Sequence, residues 1–138
     1  MSLTTDLNQL NHEIPLSQFK EMIARYRAEC EAILKPEFQG KEILPYSELF
    51  QRAAFEKLLA QQGCVAVRAY LGMDKELKVK LIFVGVDDQN KDILPSGAEA
   101  QKAKAVGTSL AAATADEDEG VIIEEGQRCP PHCPPPNP

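Results

Sequence analysis

The chain has 138 residues, 43% of them hydrophobic, and a formal net charge of −6 at pH 7. That length can bury one ordinary core without staples. The acidic balance, with no basic stripe anywhere, excludes the electrostatic grip that non-specific nucleic-acid binding and anionic membrane surfaces require.

Aromatic residues make up 6% and tryptophan is absent. An aliphatic core is expected, with Phe19, Phe50, Phe55, Phe83 and Tyr70 as its bulkiest members. No run approaches the roughly 20 apolar residues of a membrane span. The N-terminal MSLTTDLNQLNHEIP has neither a basic segment nor a continuous apolar one, so it does not read as a secretory signal, and a cytoplasmic protein is expected. In a reducing compartment the 4 cysteines are expected as free thiols or metal ligands rather than as disulfides.

Residues 1–13 are polar and predict a flexible arm. Leu16, Phe19, Ile23, Tyr26, Cys30 and Ile33 then recur at steps of three and four, one face of an amphipathic helix. Pro15 suits its start and Pro36 stops the run. Gly40 and Pro45 punctuate a connector. Leu49, Phe50, Ala53, Ala54, Leu58 and Leu59 predict a second helix, with Ser47 as a cap, Gly63 as a left-handed end, and a break near Gln51 or Arg52.

The period then changes. Cys64, Ala66, Arg68 and Tyr70 alternate with Val65, Val67, Ala69 and Leu71, which predicts a strand. KVKLIFVGV predicts a second, and GMDKEL joins the two as an antiparallel hairpin. DDQNKD is a further turn, and a third, short strand starts before Pro95. Residues 96–120 are small, polar and Ala-rich, a mobile insertion. VIIEE beyond it predicts a late strand that joins the hairpin. The tail begins at Gly126. The fold expected is α+β: two N-terminal helices packed on one face of a small antiparallel sheet of three or four strands. They form a single domain over 14–126, with a Cys/Pro-rich tail over 127–138. Arg68, Lys78 and Lys80 are the candidates for the sheet's outward face.

The tail RCPPHCPPPNP gathers Cys129, His132 and Cys133. In a polyproline conformation the two cysteines would lie roughly 12 Å apart, too far for a disulfide or a shared metal. Most tail residues precede a proline and are pushed extended. Pro131 and His132 escape that restriction, and a turn centred on them would draw the cysteines together. Three soft donors are one short of a closed zinc site; Cys64, Cys30, His12 or a second chain could complete it. The same tail also reads as a Cys129–Cys133 disulfide loop, a docking polyproline segment or a stiff end.

Other candidates resolve to bland readings. Cys30 and Cys64 read as small buried hydrophobes. No pattern supplies Cys64 with a base. Asp87, Asp88, Asn90 and Asp92 fail the Ca²⁺-loop template in every register and read as a hairpin turn. The acidic run 116–119 is a solvated stretch, and neither LGMDKE nor VGVDDQ has phosphate-loop spacing or a following helix.

The order YLGMD, VGVD and QRCPPHCP resembles a group of small bacterial hypothetical proteins, uncharacterised and mostly without assigned function. The resemblance covers about a third of the chain. It implies an intracellular accessory protein, suggests that the hairpin and the Cys-Pro tail belong to one unit, and transfers no catalytic residue. The function expected is that of a non-enzymatic interaction module. Its protein partner would bind through the proline-rich tail or an exposed sheet face. The alternatives are a metal-binding, zinc for instance, or redox-responsive protein using Cys129, His132 and Cys133, and an enzyme whose site the fold assembles from dispersed residues.

Overall fold

The computed structural model describes residues 7–95 and 120–135. Among the described residues two helices and six antiparallel strands give an α+β fold. In chain order they are α1 (Leu16–Glu29), a 3-10 turn (Pro36–Phe38), β1 (Ser47–Leu49), α2 (Arg52–Leu59), β2 (Ala66–Met73), β3 (Val79–Val86), β4 (Asp92–Ile93), β5 (Ile122–Ile123) and β6 (Gln127–Cys129). The strands form one four-stranded and one two-stranded sheet. No helix among the described residues is long and apolar enough to cross a membrane.

The described residues fall into two compact units, one holding 7–10, 51–70, 82–95 and 120–124, the other 11–50, 71–81 and 125–135. The long strands β2 and β3 run through both.

In the first unit, α2 begins at Arg52, behind an extended Gln51. The break expected near Gln51 or Arg52 is therefore the helix start, and Ser47 is no cap but the first residue of β1. Leu58 is fully buried, and α2 packs on β5. The rings of Phe55 and Phe83 meet edge to face, their centroids 5.0 Å apart. Gly63 is left-handed, at φ +80°, a conformation that costs other residues their Cβ clearance.

The far edge of β3 carries β4 and β5 end to end. Val86 pairs with Asp92 and Gly85 with Ile93; the register then continues without a gap to Val84 with Ile122 and Phe83 with Ile123. The chain leaves one strand line after Ile93 and re-enters it at Ile122. Gly120 closes the gap. A Cβ there would lie 2.4 Å from the Ile93 carbonyl oxygen and 2.5 Å from the Leu94 Cα, so only glycine lets the returning chain come this close. The late strand does join the hairpin, as expected. The insertion expected over 96–120 lies, apart from Gly120, outside the described residues.

In the second unit, α1 spans Leu16–Glu29 and ends at a buried Cys30. Its C-terminal turn is tied down: the Tyr26 hydroxyl donates to the Pro45 carbonyl at 2.9 Å, and the Arg27 guanidinium lies 5.1 Å from the Tyr46 ring centroid. Burial, with the nearby Cys30 second, raises the Tyr26 pKa above its ordinary value. No residue of α1 is buried, and Leu16, Phe19 and Met22 on its apolar stripe are exposed. The far edge of β3 is covered here too. Val79 N–H donates to the Ile43 carbonyl at 2.8 Å, and Leu81 N–H to Glu48 Oε2 at 2.8 Å.

Two turns share one wiring. Asp74 Oδ1 accepts the N–H groups of Glu76 and Lys78, at 2.8 and 3.0 Å, and Asp87 Oδ1 those of Gln89 and Lys91, at 2.8 and 3.0 Å. Each closes through a left-handed residue, Leu77 at φ +68° and Asn90 at φ +65°. Asn tolerates that region; Leu is strained there. The Asp87 carboxylate is thus spent on its own turn, the expected hairpin reading rather than a cation loop.

Candidate functional site

Two features merit a functional reading: the tail and the free edge of β2.

The tail is folded, not extended. β6 pairs antiparallel with β1, Glu48 opposite Arg128 and Ser47 opposite Cys129. Tyr46 N–H extends the ladder to the Cys129 carbonyl at 2.7 Å. Arg128 is buried, and its terminal nitrogen donates to the Glu42 and Ile43 carbonyls at 2.8 and 2.9 Å. Its Nε lies 4.0 Å from Oε1 of Glu48, whose side chain is wholly buried. Those two atoms have no hydrogen-bond partner. The pair is an ion pair at contact range, held mainly by each residue's other bonds. A buried pair of this kind contributes little net stability, but losing one partner strands the other's charge.

Past β6 the chain turns. His132 N–H donates to the Arg128 carbonyl at 2.8 Å and Cys133 N–H to the Pro131 carbonyl at 3.0 Å. It is not the expected turn centred on Pro131 and His132: its wider bond spans Arg128 to His132, and the Cys129–Pro130 and Pro130–Pro131 peptides are cis. It brings the Cα atoms of Cys129 and Cys133 to 4.5 Å, and the two sulfurs are joined as a disulfide. Cys129 is buried, whereas His132 and Cys133 are exposed. Among the other donors considered for zinc, Cys30 is a buried free thiol and Cys64 a half-buried one, the latter 3.3 Å from the Ala66 carbonyl oxygen. His12 is exposed. Among the described residues no group of three or more His, Cys, Asp or Glu side chains is placed to hold a metal ion. Sulfurs joined to each other are not the thiolates that zinc takes, so a metal reading concerns the reduced pair alone. Cys30 and Pro130 line one cavity of about 230 Å³, together with Glu31, Glu42, Leu44 and Tyr46.

The edge of β2 is a different surface. Among the described strands β3 is its only neighbour. Val65, Val67, Leu71 and Met73 are exposed, Leu71 by 77%. Arg68, on the opposite face, is half-buried. Its guanidinium binds the Asp92 carboxylate and the Asn90 side-chain oxygen, and the Tyr70 hydroxyl shares Asp92. Lys78 and Lys80 are half-buried too. Arg68, Lys78 and Lys80 are thus half-buried rather than fully outward, Arg68 because Asp92 and Asn90 give it partners within the sheet. The odd-numbered apolar set of β2 is exposed.

The bond from Asp74 N–H to the Lys78 carbonyl, 3.1 Å long, fixes which backbone groups of β2 are free. Bonding direction alternates along an antiparallel strand. Counting back from Asp74, Gly72, Tyr70 and Arg68 turn their amides to β3. Leu71, Ala69 and Val67 turn theirs to the open edge, and these are also the residues of the exposed apolar face. Sequence alternation could have found this strip; what covers each face could not be read from it.

No family model, no curated protein and no solved structure matches the chain.

Proposed function

We propose that this protein is a non-enzymatic intracellular accessory module that binds a protein partner by strand addition at β2. One observation carries the reading: a strip of exposed valine, leucine and methionine runs beside a backbone edge that no other described strand pairs. Native edges are normally guarded by proline, lysine or a covering segment. β2 has no proline, and its one charge, Arg68, is engaged on the opposite face. An added strand would gain main-chain hydrogen bonds and bury alternate apolar side chains. The folded, disulfide-closed tail favours the sheet over the tail as the docking element.

The test is a displayed library of ten-residue peptides selected against the protein. Enriched peptides with alternating apolar residues are expected, and their affinity should fall at least tenfold with Leu71→Lys. Peptides that bind that variant equally well, or no enrichment at all, would refute strand addition.

The disulfide favours a second reading, a redox-responsive tail acting through Cys129 and Cys133 beside His132. Cys133 offers an exposed sulfur to an incoming thiolate. Thiol counting and elemental analysis before and after reduction, with Cys129→Ser and Cys133→Ser as controls, test both the redox reading and zinc uptake by the reduced pair.

A further inference from the structure

The strand-addition reading leaves open whose strand arrives. We infer that it is β2 of a second copy, paired antiparallel about a twofold axis at Ala69. This rests on the reading above and adds the partner's identity.

The argument is one of self-complementarity. A twofold axis through an antiparallel pair places each residue opposite a residue of the same strand, so a strand pairs with itself only if its own sequence is compatible in reverse. With Ala69 on the axis, Val67 lies opposite the partner's Leu71, both exposed apolar residues on one face; Val65 falls outside the register, its N–H being bound to the Val86 carbonyl at 2.9 Å. On the other face Arg68 lies opposite the partner's Tyr70, a cation beside an aromatic ring rather than beside its own copy. Ala66 lies opposite the partner's Gly72, two small residues. The strand's only charge is thereby kept from self-repulsion. An axis at Arg68 would set the two guanidinium groups face to face.

Backbone direction agrees. A residue on the axis of a hydrogen-bonded pair must turn both its N–H and its C=O to the open edge. Ala69 does so on the alternation set by Asp74 and Lys78. Its small side chain also suits the one place where a residue meets its own copy. The register uses nearly the whole of β2, Ala66 to Gly72.

The geometry gives a register-specific test on the full chain. Cα atoms in a hydrogen-bonded antiparallel pair lie about 5.5 Å apart, within disulfide range. An Ala69→Cys variant should therefore form a covalent dimer under mild oxidation. Val67→Cys should not, because its own copy lies four positions along the strand. Sedimentation velocity over a wide concentration range should show wild type passing reversibly from monomer to dimer. Leu71→Lys should stay monomeric with an unchanged circular-dichroism spectrum and thermal midpoint. A wild-type chain that is monomeric throughout would overturn the inference, as would a dimer that Ala69→Cys does not cross-link. If the chain is monomeric yet selected peptides still bind in a Leu71-dependent way, the strand-addition reading stands and only the second-copy inference falls.

Discussion

β2 and β3 are eight-residue strands of one hairpin, and they fare differently. β3 is covered along its outer edge: Ile43 and Glu48 take the amides of Val79 and Leu81, and β5 and β4 pair with Phe83 to Val86. Val84 and Val86 are accordingly buried. β2 is as apolar on its odd-numbered face, yet among the described residues that face is exposed and no strand pairs its outer edge. Apolar composition in a strand thus has two uses. Where the chain supplies neighbours it becomes core, and where it does not it becomes a surface that another strand can complete.

The contrast predicts unequal costs. The largest belongs to the cover of β3. Arg128→Ala removes two bonds to the Glu42 and Ile43 carbonyls and leaves Glu48 buried without its counter-charge; a loss of about 3–5 kcal/mol in denaturant unfolding is expected. Val86→Ala should cost about 2 kcal/mol, from lost burial and a small cavity. Leu77→Asn, which copies Asn90 of the sister turn, should instead stabilise by about 1 kcal/mol by relieving a left-handed leucine. On the open strand, Val67→Ala should change monomer stability by less than about 0.5 kcal/mol. A Val67→Ala cost equal to that of Val86→Ala would break the comparison.

The smallest effect is electrostatic. Backbone N–H groups, that of Lys78 foremost, hold the Asp74 carboxyl below its ordinary value of 3.8. Folding therefore favours the ionised form. Its contribution is fully present above the ordinary carboxylate range and is lost as pH falls through the lowered folded value. Asp74→Asn keeps an acceptor but no charge. Its thermal midpoint should sit slightly below wild type near neutral pH, and the two should converge in acid.

Much of the fold was legible because its signals are local. The three-and-four spacing places α1, the alternating run gives β2 and the β-branched run β3, and the Asp-led turns follow from short side chains that bond their own backbone. β1 and β6 were not legible. Three residues such as Ser47–Leu49 carry no periodicity, and their partner lies far downstream. That the tail turns could be reasoned from the residues that escape a following proline, but not where, because the turn runs from Arg128 to His132 through two cis prolyl bonds. The partners of Arg68 were not legible either, because Asp92 and Asn90 reach it from a later turn. The edge of β2, the feature with the most functional content, follows from the lack of a second described strand beside it, and only the assembled sheet reveals it.

The most direct measurement is amide hydrogen exchange along β2 in dilute protein, read residue by residue by NMR. The account predicts alternation: slow exchange at Arg68, Tyr70 and Gly72, which bond to β3, and fast exchange at Val67, Ala69 and Leu71, slowing as protein concentration rises. Protection of Val67, Ala69 and Leu71 in the dilute monomer would contradict it, because the edge would then already be covered by the chain itself.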